Sequence, residues 1–464
     1  MLLFLIIFLA FFVRTLLLNQ SFWLDEAAQV IESARPLSQQ LKIAGDFQPP
    51  LYHVLLHFWM QLGTSEAWIR SLSVLFAIGT IIYTYKIASK IFNRKIALTS
   101  VLLLSIAPFS VWYAQEARPY ALAVFLATAA TYYLLTKNAG GYFLSALGFV
   151  YSIYLAPFLL IVHGVFILRE RVWFKKWLSA ISLVGLFFLP WLPSFFEQLS
   201  IGSGLQYTLP GWSEAVSAPL AKALPLTFVK FAIGRISFAN DFLYGAIALL
   251  LFTVFGSAIW SAWKNMPRKT FTLLLFFLGP LLLSFITSIF LPILAPQRVL
   301  FLLPYFYMLL ATGIVTARKF QWLLILPFII ISTYAIFLYQ TNPEFQKEQW
   351  RQATDFVKLN SNMQSKTIFV FPDAFAPWQW YTNGSKEYLA VAPTFTVKDN
   401  ELLLYKTSLS QSDRLFYFSY LTDLTDPQKK VVAFIHDLGF VSTDVKNFPG
   451  VGFVTIYEKH IASY

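Results

Sequence analysis

The chain has 464 residues, 57% of them hydrophobic, 18% aromatic and only 12% charged, with a mean hydropathy of +0.61. A water-soluble domain carries roughly twice that charged fraction, so the composition excludes an ordinary soluble globule and makes lipid the solvent for much of the apolar surface. The net charge of +12 is lopsided: the first 340 residues hold 23 basic and 10 acidic residues, and the chain from Thr341 onward holds 12 and 13. Basic residues set in short loops between apolar runs describe a membrane body, followed here by a near-neutral soluble domain, and argue against nucleic-acid binding. With no cysteine, disulfides, thiolate catalysis and cysteine metal sites are excluded.

The stretch 1–18 is apolar apart from Arg14, lacks a basic leader and a small-residue cleavage site, and reads as a retained first helix. Further spans are expected at about 68–89, 96–113, 119–136, 141–155, 157–169, 177–196, 241–263, 270–290, 299–316 and 321–339, about eleven in all. Arg14 is expected to snorkel or to pair with an inner acid. Lys86, Lys90, Arg94 and Lys95; Arg169, Arg171, Lys175 and Lys176; Lys264, Arg268 and Lys269; and Arg318 and Lys319 all fall on one face, which the positive-inside rule makes cytoplasmic. Of the acids before residue 340, only Glu170 shares that face, while Asp25, Glu26, Glu32, Asp46, Glu66, Glu116, Glu197, Glu214 and Asp241 fall on the other. Two long loops, about 19–67 and 197–240, lie on the outer face, where the chemistry is expected.

Residues 1–340 therefore read as a transmembrane domain and 341–464 as an extracytoplasmic α/β domain. In the latter, Gln349–Val357 reads as an amphipathic helix, and Thr367–Phe371, Leu415–Phe418 and Phe453–Tyr457 read as strands. Pro427–Leu438 reads as a helix opened by Asp426 and stopped by Gly439.

Three clusters carry chemistry. Trp23-Leu24-Asp25-Glu26 puts two carboxylates just outside the first span, which suits a general base or a cation holder, and equally a solvated helix N-terminus. Asp46-Phe47-Gln48-Pro49-Pro50-Leu51-Tyr52-His53 has a double proline that can hold Gln48 and Tyr52 rigidly over a pocket, or simply start a helix. His53 and His57 have metal-ligand spacing, a pattern more common in packing. Tyr113-Ala114-Gln115-Glu116-Ala117-Arg118-Pro119-Tyr120 fills a tight outer turn, where an arginine suits phosphate and a local ion pair is the plainer alternative. Arg70 and Arg298 stand at outer ends of spans and either bind an anion or snorkel. Phosphate-binding glycine loops, dinucleotide fingerprints and zinc-protease motifs are absent from the sequence, so a donor substrate is expected to be lipid-borne.

The ordered set Phe22–Ala27, Gln48–Tyr52, Arg70 and Tyr113–Leu122, together with Pro296-Gln297-Arg298 and Glu348-Gln349-Trp350-Arg351, resembles bacterial family 39-like glycosyltransferases. These are similar to the protein O-mannosyltransferases and the lipid A aminoarabinose transferases, all of the GT-C fold. Where many relatives place Lys or His before the Pro-Pro step, this chain has Gln48. The resemblance implies a polyprenyl-phosphate monosaccharide as donor and a glycan, lipid or protein hydroxyl as acceptor. It implies no nucleotide sugar, no required cofactor and no settled divalent metal. Carried over, the general base is Asp25, with Arg118 and Arg298, and less directly Arg70, holding the leaving phosphate. Glu26, Glu116, Gln48, Tyr52 and Tyr113 complete the substrate site. The expected activity is inverting hexosyl or pentosyl transfer on the extracytoplasmic face of the cytoplasmic (inner) membrane. The rival readings are a transporter or flippase of lipid-linked sugars, which usually shows internal repeats not seen here, and a non-catalytic sugar receptor.

Overall fold

The computed structural model describes residues 1–40, 42, 46–208, 219–238, 240–370, 376–384, 388–391 and 397–459. Glu214, one of the outer acids, and Phe371, the expected end of a strand, lie outside the described residues. The chain forms two compact units. One takes Met1–Leu18 and most of the chain from Ser33 to Phe345; the other takes Asn19–Glu32, a short stretch after Gly202, and the chain from Gln346 on.

The first unit is helical. Glu66–Ile91, Arg171–Gly204, Asp241–Asn265, Pro267–Ser288 and Arg318–Thr341 are long and apolar enough to cross a bilayer, and the pair Arg94–Ser105 and Pro108–Ala114, bent by 62°, qualifies when taken together. Leu2–Thr15, Tyr120–Leu135, Ala139–Val150, Ala156–Ile167 and Leu300–Thr316 are shorter apolar helices. Large apolar side chains such as Phe4, Leu186, Phe242, Leu249 and Trp322 stay exposed on these helices, as a lipid-facing surface requires. The protein is thus a multi-pass membrane protein.

Polar groups inside this unit bind helix to helix. The bend before Pro108 frees backbone carbonyls, and Arg14 takes them: Nη1 donates to Ser105 O (2.7 Å) and Nη2 to Leu104 O (3.1 Å) and Ser110 Oγ (2.8 Å). Arg14 is fully buried and neither snorkels nor meets an acid; its partners are carbonyls and a hydroxyl. Gln115 Nε2 reciprocates by capping the end of the first helix at Leu16 O (2.6 Å), with Val13 O and Arg14 O at 3.2 Å. A second buried network joins five helices: His163 meets Thr131 Oγ1 (3.1 Å) and Tyr142 OH (3.3 Å), Trp177 Nε1 donates to Tyr142 OH (2.8 Å), and Thr131 bonds Tyr305.

Ion pairs tie turns together at both ends of the helices. Lys137 and Glu170 pair at 2.5 Å. At the other end, Asp46 of the first long loop meets Arg118 of the 113–120 turn.

The second unit is built on a five-stranded sheet: β1 (Ser365–Phe369), β2 (Tyr388–Ala390), β3 (Arg414–Phe418), β4 (Phe440–Phe448) and β5 (Gly452–Lys459), in the order β2-β1-β3-β5-β4. β1 runs parallel to β2 and β3, and β5 runs antiparallel to β3 and β4. The helix Trp350–Asn360 buries Trp350, Ala353 and Val357 on one face of the sheet, with Phe369, Phe416, Phe418 and Val454. Lys430–Asp437 buries Val431 and Ile435 on the other, with Leu415, Tyr417 and Phe440. Asp426 opens that helix as expected, accepting from the Lys430 and Val431 amides at 2.9 Å, and Gly439 at φ +84° ends it. The helix nevertheless starts at Lys430, since residues up to Thr425 form a separate turn of helix.

Candidate active site

Asp25 and Glu26 occupy the first turn of the helix Leu24–Ala34, where the helix dipole favours carboxylates. Asp25 is partly buried and Glu26 fully buried. Both belong to the second unit. There the amide of Leu24 donates to Glu348 Oε2 (3.4 Å), and the same carboxyl accepts from Trp350 Nε1 (2.7 Å) and Tyr420 OH (3.1 Å). Burial pushes the Glu348 carboxyl up to about 7, opposed by those hydrogen bonds and reinforced by the nearby charge of Asp25.

The other candidates lie in the first unit. Pro49 and Pro50 lead into the helix Leu51–Met60, whose first amide, that of Leu51, bonds Tyr151 O at 3.1 Å. The prolines thus fix the loop before the helix, and that loop presents Asp46. Its carboxylate is approached by Arg118 Nη1 at 3.6 Å and His53 Nε2 at 2.9 Å, and it accepts from Gln48 Nε2. Burial alone would raise the Asp46 carboxyl, but the Arg118 guanidinium, His53 and the Gln48 amide together hold it below the usual carboxylate range. Gln198 Nε2 donates to Asp46 O (2.6 Å), and Gln198 Oε1 accepts from Tyr154 OH (2.5 Å), which in turn accepts from Trp191 Nε1 (3.0 Å). The Tyr52 hydroxyl lies 2.8 Å from Ser73 Oγ.

In the 113–120 turn, Arg118 lies 6.0 Å from the Tyr120 ring centre, and Tyr113 packs edge-on to Tyr120. Glu116 is fully buried and accepts from Trp112 Nε1 at 3.0 Å. The exposed guanidinium of Arg235 lies over the same indole, 4.5 Å from its centre. Arg70 is fully buried with Nη1 on Leu18 O (2.8 Å). Arg298 is partly buried, with Nη1 on Ile293 O at 3.2 Å.

The first unit therefore brings together Gln48 and Arg118 around Asp46, and Glu116 with Trp112 and Arg235, while Tyr52 bonds Ser73, Arg70 bonds Leu18 O and Arg298 bonds Ile293 O. His53 and His57 do not form a two-histidine ligand pair: His57 Nδ1 faces Ser33 O (2.8 Å), and His53 faces Asp46. Asp46 and His53 are themselves the donor types a divalent cation uses. Asp46 and Glu348 stand in motifs quoted from the sequence without a role read for either, and Arg235 stands in none. Asp46 stood two places before Gln48 and had a signal in that spacing. Arg235 had none, because Trp112 lies far away along the chain.

Residues 47–193 match the family described as dolichyl-phosphate-mannose-protein mannosyltransferase. ArnT from Cupriavidus metallidurans bound to undecaprenyl phosphate superposes with a TM-score of 0.61 at 11% identity, covering 99% of this chain and 98% of that one. The Archaeoglobus fulgidus oligosaccharyltransferase in complex with Zn and sulfate superposes with a TM-score of 0.54 at 11% identity, covering 98% of this chain and 73% of that one. The oligosaccharyltransferase AglB of the same organism, in complex with an inhibitory peptide and a dolichol-phosphate, gives 0.51 at 10% identity, with 98% and 73% covered. No curated protein matches at the level of sequence. The chain has the GT-C fold of these proteins, as the resemblance implied.

Proposed function

We propose that this chain, a multi-pass membrane protein of the GT-C fold, transfers one sugar from a polyprenyl-phosphate donor to an acceptor hydroxyl at the outer face of the cytoplasmic membrane. The observation that carries the reading is the likeness along nearly the whole chain to a protein captured with undecaprenyl phosphate, joined to the mannosyltransferase match over residues 47–193. Asp25 takes the proton of the acceptor hydroxyl as its oxygen attacks the anomeric carbon from the side opposite the phosphate. The bond from that carbon to the phosphate oxygen breaks, the configuration inverts, and polyprenyl phosphate leaves with its new charge facing guanidinium groups.

Arg118 and Arg298 serve that charge, and the exposed Arg235 joins them. Glu26, Glu116 and Gln48 orient the sugar and the arginines, with Tyr52, Tyr113 and Arg70 shaping the site. Asp46 sets the pose of Arg118 through their ion pair.

The test is release of polyprenyl phosphate from a membrane lipid extract containing polyprenyl-phosphate sugars, in proteoliposomes and read by mass spectrometry. Wild type turns over; Asp25→Asn loses about 10²–10⁴-fold in rate. An Asp25→Asn variant with full activity removes the base assignment, and lipid-linked sugar that crosses the bilayer unhydrolysed and untransferred favours the transporter instead.

A further inference from the structure

The second unit holds the segment Asn19–Glu32 by a set of specific bonds. Arg351 Nη2 donates to Asn19 O (3.1 Å), the Lys347 amide to Gln20 Oε1 (3.0 Å), Ser21 Oγ to Glu348 O, and the Phe22 amide to Tyr381 OH (2.7 Å). The Leu24 side chain packs with the sheet core around Trp350 and Phe418. At the centre is the Glu348 carboxyl. Oε2 receives both the Leu24 amide and Trp350 Nε1, and Tyr420 OH reaches Oε1 and Oε2 at 3.1 and 3.3 Å. The Leu24 amide is one of the free donors of the first helical turn, and the next residue is Asp25. Behind Glu348, Gly450 at φ +79° would place a Cβ 2.9 Å from Glu348 Cα, so glycine lets the Pro449–Gly450 turn press the glutamate forward.

We infer that Glu348 is a positioning residue for Asp25: the C-terminal domain is a mount that fixes the first turn of the base-bearing helix and sets a second carboxyl beside the base. The inference rests on the assignment of Asp25 as base. The two carboxyls form a pair. Desolvation and the charge of Asp25 both raise Glu348, and by reciprocity an ionised Glu348 raises the basicity of Asp25. Glu348 therefore keeps its proton below about pH 7. The ionisable groups on the packed elements include Glu26 and Glu32 on the helix of Asp25, Asp355 and Lys358 on the helix after Glu348, Tyr381, and Tyr420, which is raised well above its ordinary value. Lys347 lies 6.0 Å from the Trp23 ring centre and Arg351 lies 5.9 Å from that of Tyr381.

The experiment uses the full chain in lipid nanodiscs, wild type beside Glu348→Gln, Glu348→Ala and Tyr420→Phe, with two readouts. Hydrogen exchange over residues 22–28 reads the mount: Glu348→Ala exchanges at least ~10-fold faster than wild type, whereas Glu348→Gln, which keeps an acceptor for Leu24 and Trp350, stays within about twofold. Should the alanine variant fail to fold, Tyr420→Phe removes one donor from the same carboxyl and is expected to exchange faster than wild type. Transfer from the polyprenyl-phosphate sugar fraction reads the charge: wild-type kcat/KM rises through an inflection near pH 7 that Glu348→Gln lacks, with KM for the donor unchanged. Unaltered exchange in the alanine and phenylalanine variants overturns the inference, as does a pH profile shared by wild type and Glu348→Gln. A wild type that turns nothing over sinks the glycosyltransferase reading alone, and the exchange result still decides the mount.

Discussion

Two carboxyls of opposite tendency, Asp46 and Glu348, show how surroundings set the role of a side chain. Asp46 is held below the ordinary value by Arg118, His53 and Gln48 against the effect of burial. An acid with a depressed folded pKa adds stability above its unfolded value and loses it as pH falls through the folded one. Asp46→Asn should therefore be less stable than wild type at pH 7, by about 1–3 kcal/mol for charge-assisted hydrogen bonds. That gap should close as pH drops below the ordinary 3.8. Glu348 runs the other way: its ionised form is disfavoured, so a stability cost grows from pH 4.5 to about 7. Glu348→Gln should match wild type near pH 4.5 and exceed it above pH 7, by an amount on the order of 3 kcal/mol. Thermal unfolding in detergent across pH checks both, and either sign reversed contradicts the assignment. Neither behaviour is legible in the sequence, because Asp46 and Arg118 are separated by two spans, and Glu348 and Leu24 by the whole membrane unit.

At the scale of elements, hydropathy places the helices well, since lipid forces every spanning segment to satisfy its own backbone. It does not find where a helix breaks or what heals the break. Pro108 opens the helix after the bend, and the healing group, Arg14, comes from another helix and is identifiable only in three dimensions. Arg14→Met removes donors from Ser105 O and Leu104 O in a buried setting, at about 1–3 kcal/mol for each unpaired group. A markedly lower melting temperature is expected, and an unchanged one contradicts the role.

Gly313 makes a similar demand by size: a Cβ there would lie 2.1 Å from Ala258 O, so the helices Asp241–Asn265 and Leu303–Thr316 touch through backbone at that point. Gly313→Ala should destabilise by about 1–3 kcal/mol, measured by the same melts. In the sheet, the central strands β1 and β3 and the antiparallel β5 were readable from their buried apolar runs. β4 was not, for its interior residues from Val441 to Asn447 are exposed and carry no alternation. Its edge position in the order β2-β1-β3-β5-β4 explains that pattern.

For the whole molecule, the sequence conveys a basic helical body and a small α/β domain, and the fold likeness over 99% of the chain agrees with both. What the sequence does not convey is that Asn19–Glu32, which follows the first helix directly, packs as part of the unit formed by the C-terminal domain. The Phe22–Ala27 motif thus reads locally as a membrane-surface turn, although its anchors, Glu348, Trp350, Tyr381 and Tyr420, lie more than three hundred residues later. With Asp25 as the proposed base, this arrangement would give the C-terminal domain a part in catalysis without requiring it to touch substrate. The most direct measurement of the central claim is sugar transfer from polyprenyl-phosphate donors in proteoliposomes, wild type against Asp25→Asn. The account predicts release of polyprenyl phosphate by wild type and a fall of about 10²–10⁴-fold in the variant. Equal release by both, or none by wild type with a full set of membrane polyprenyl-phosphate sugars, contradicts it.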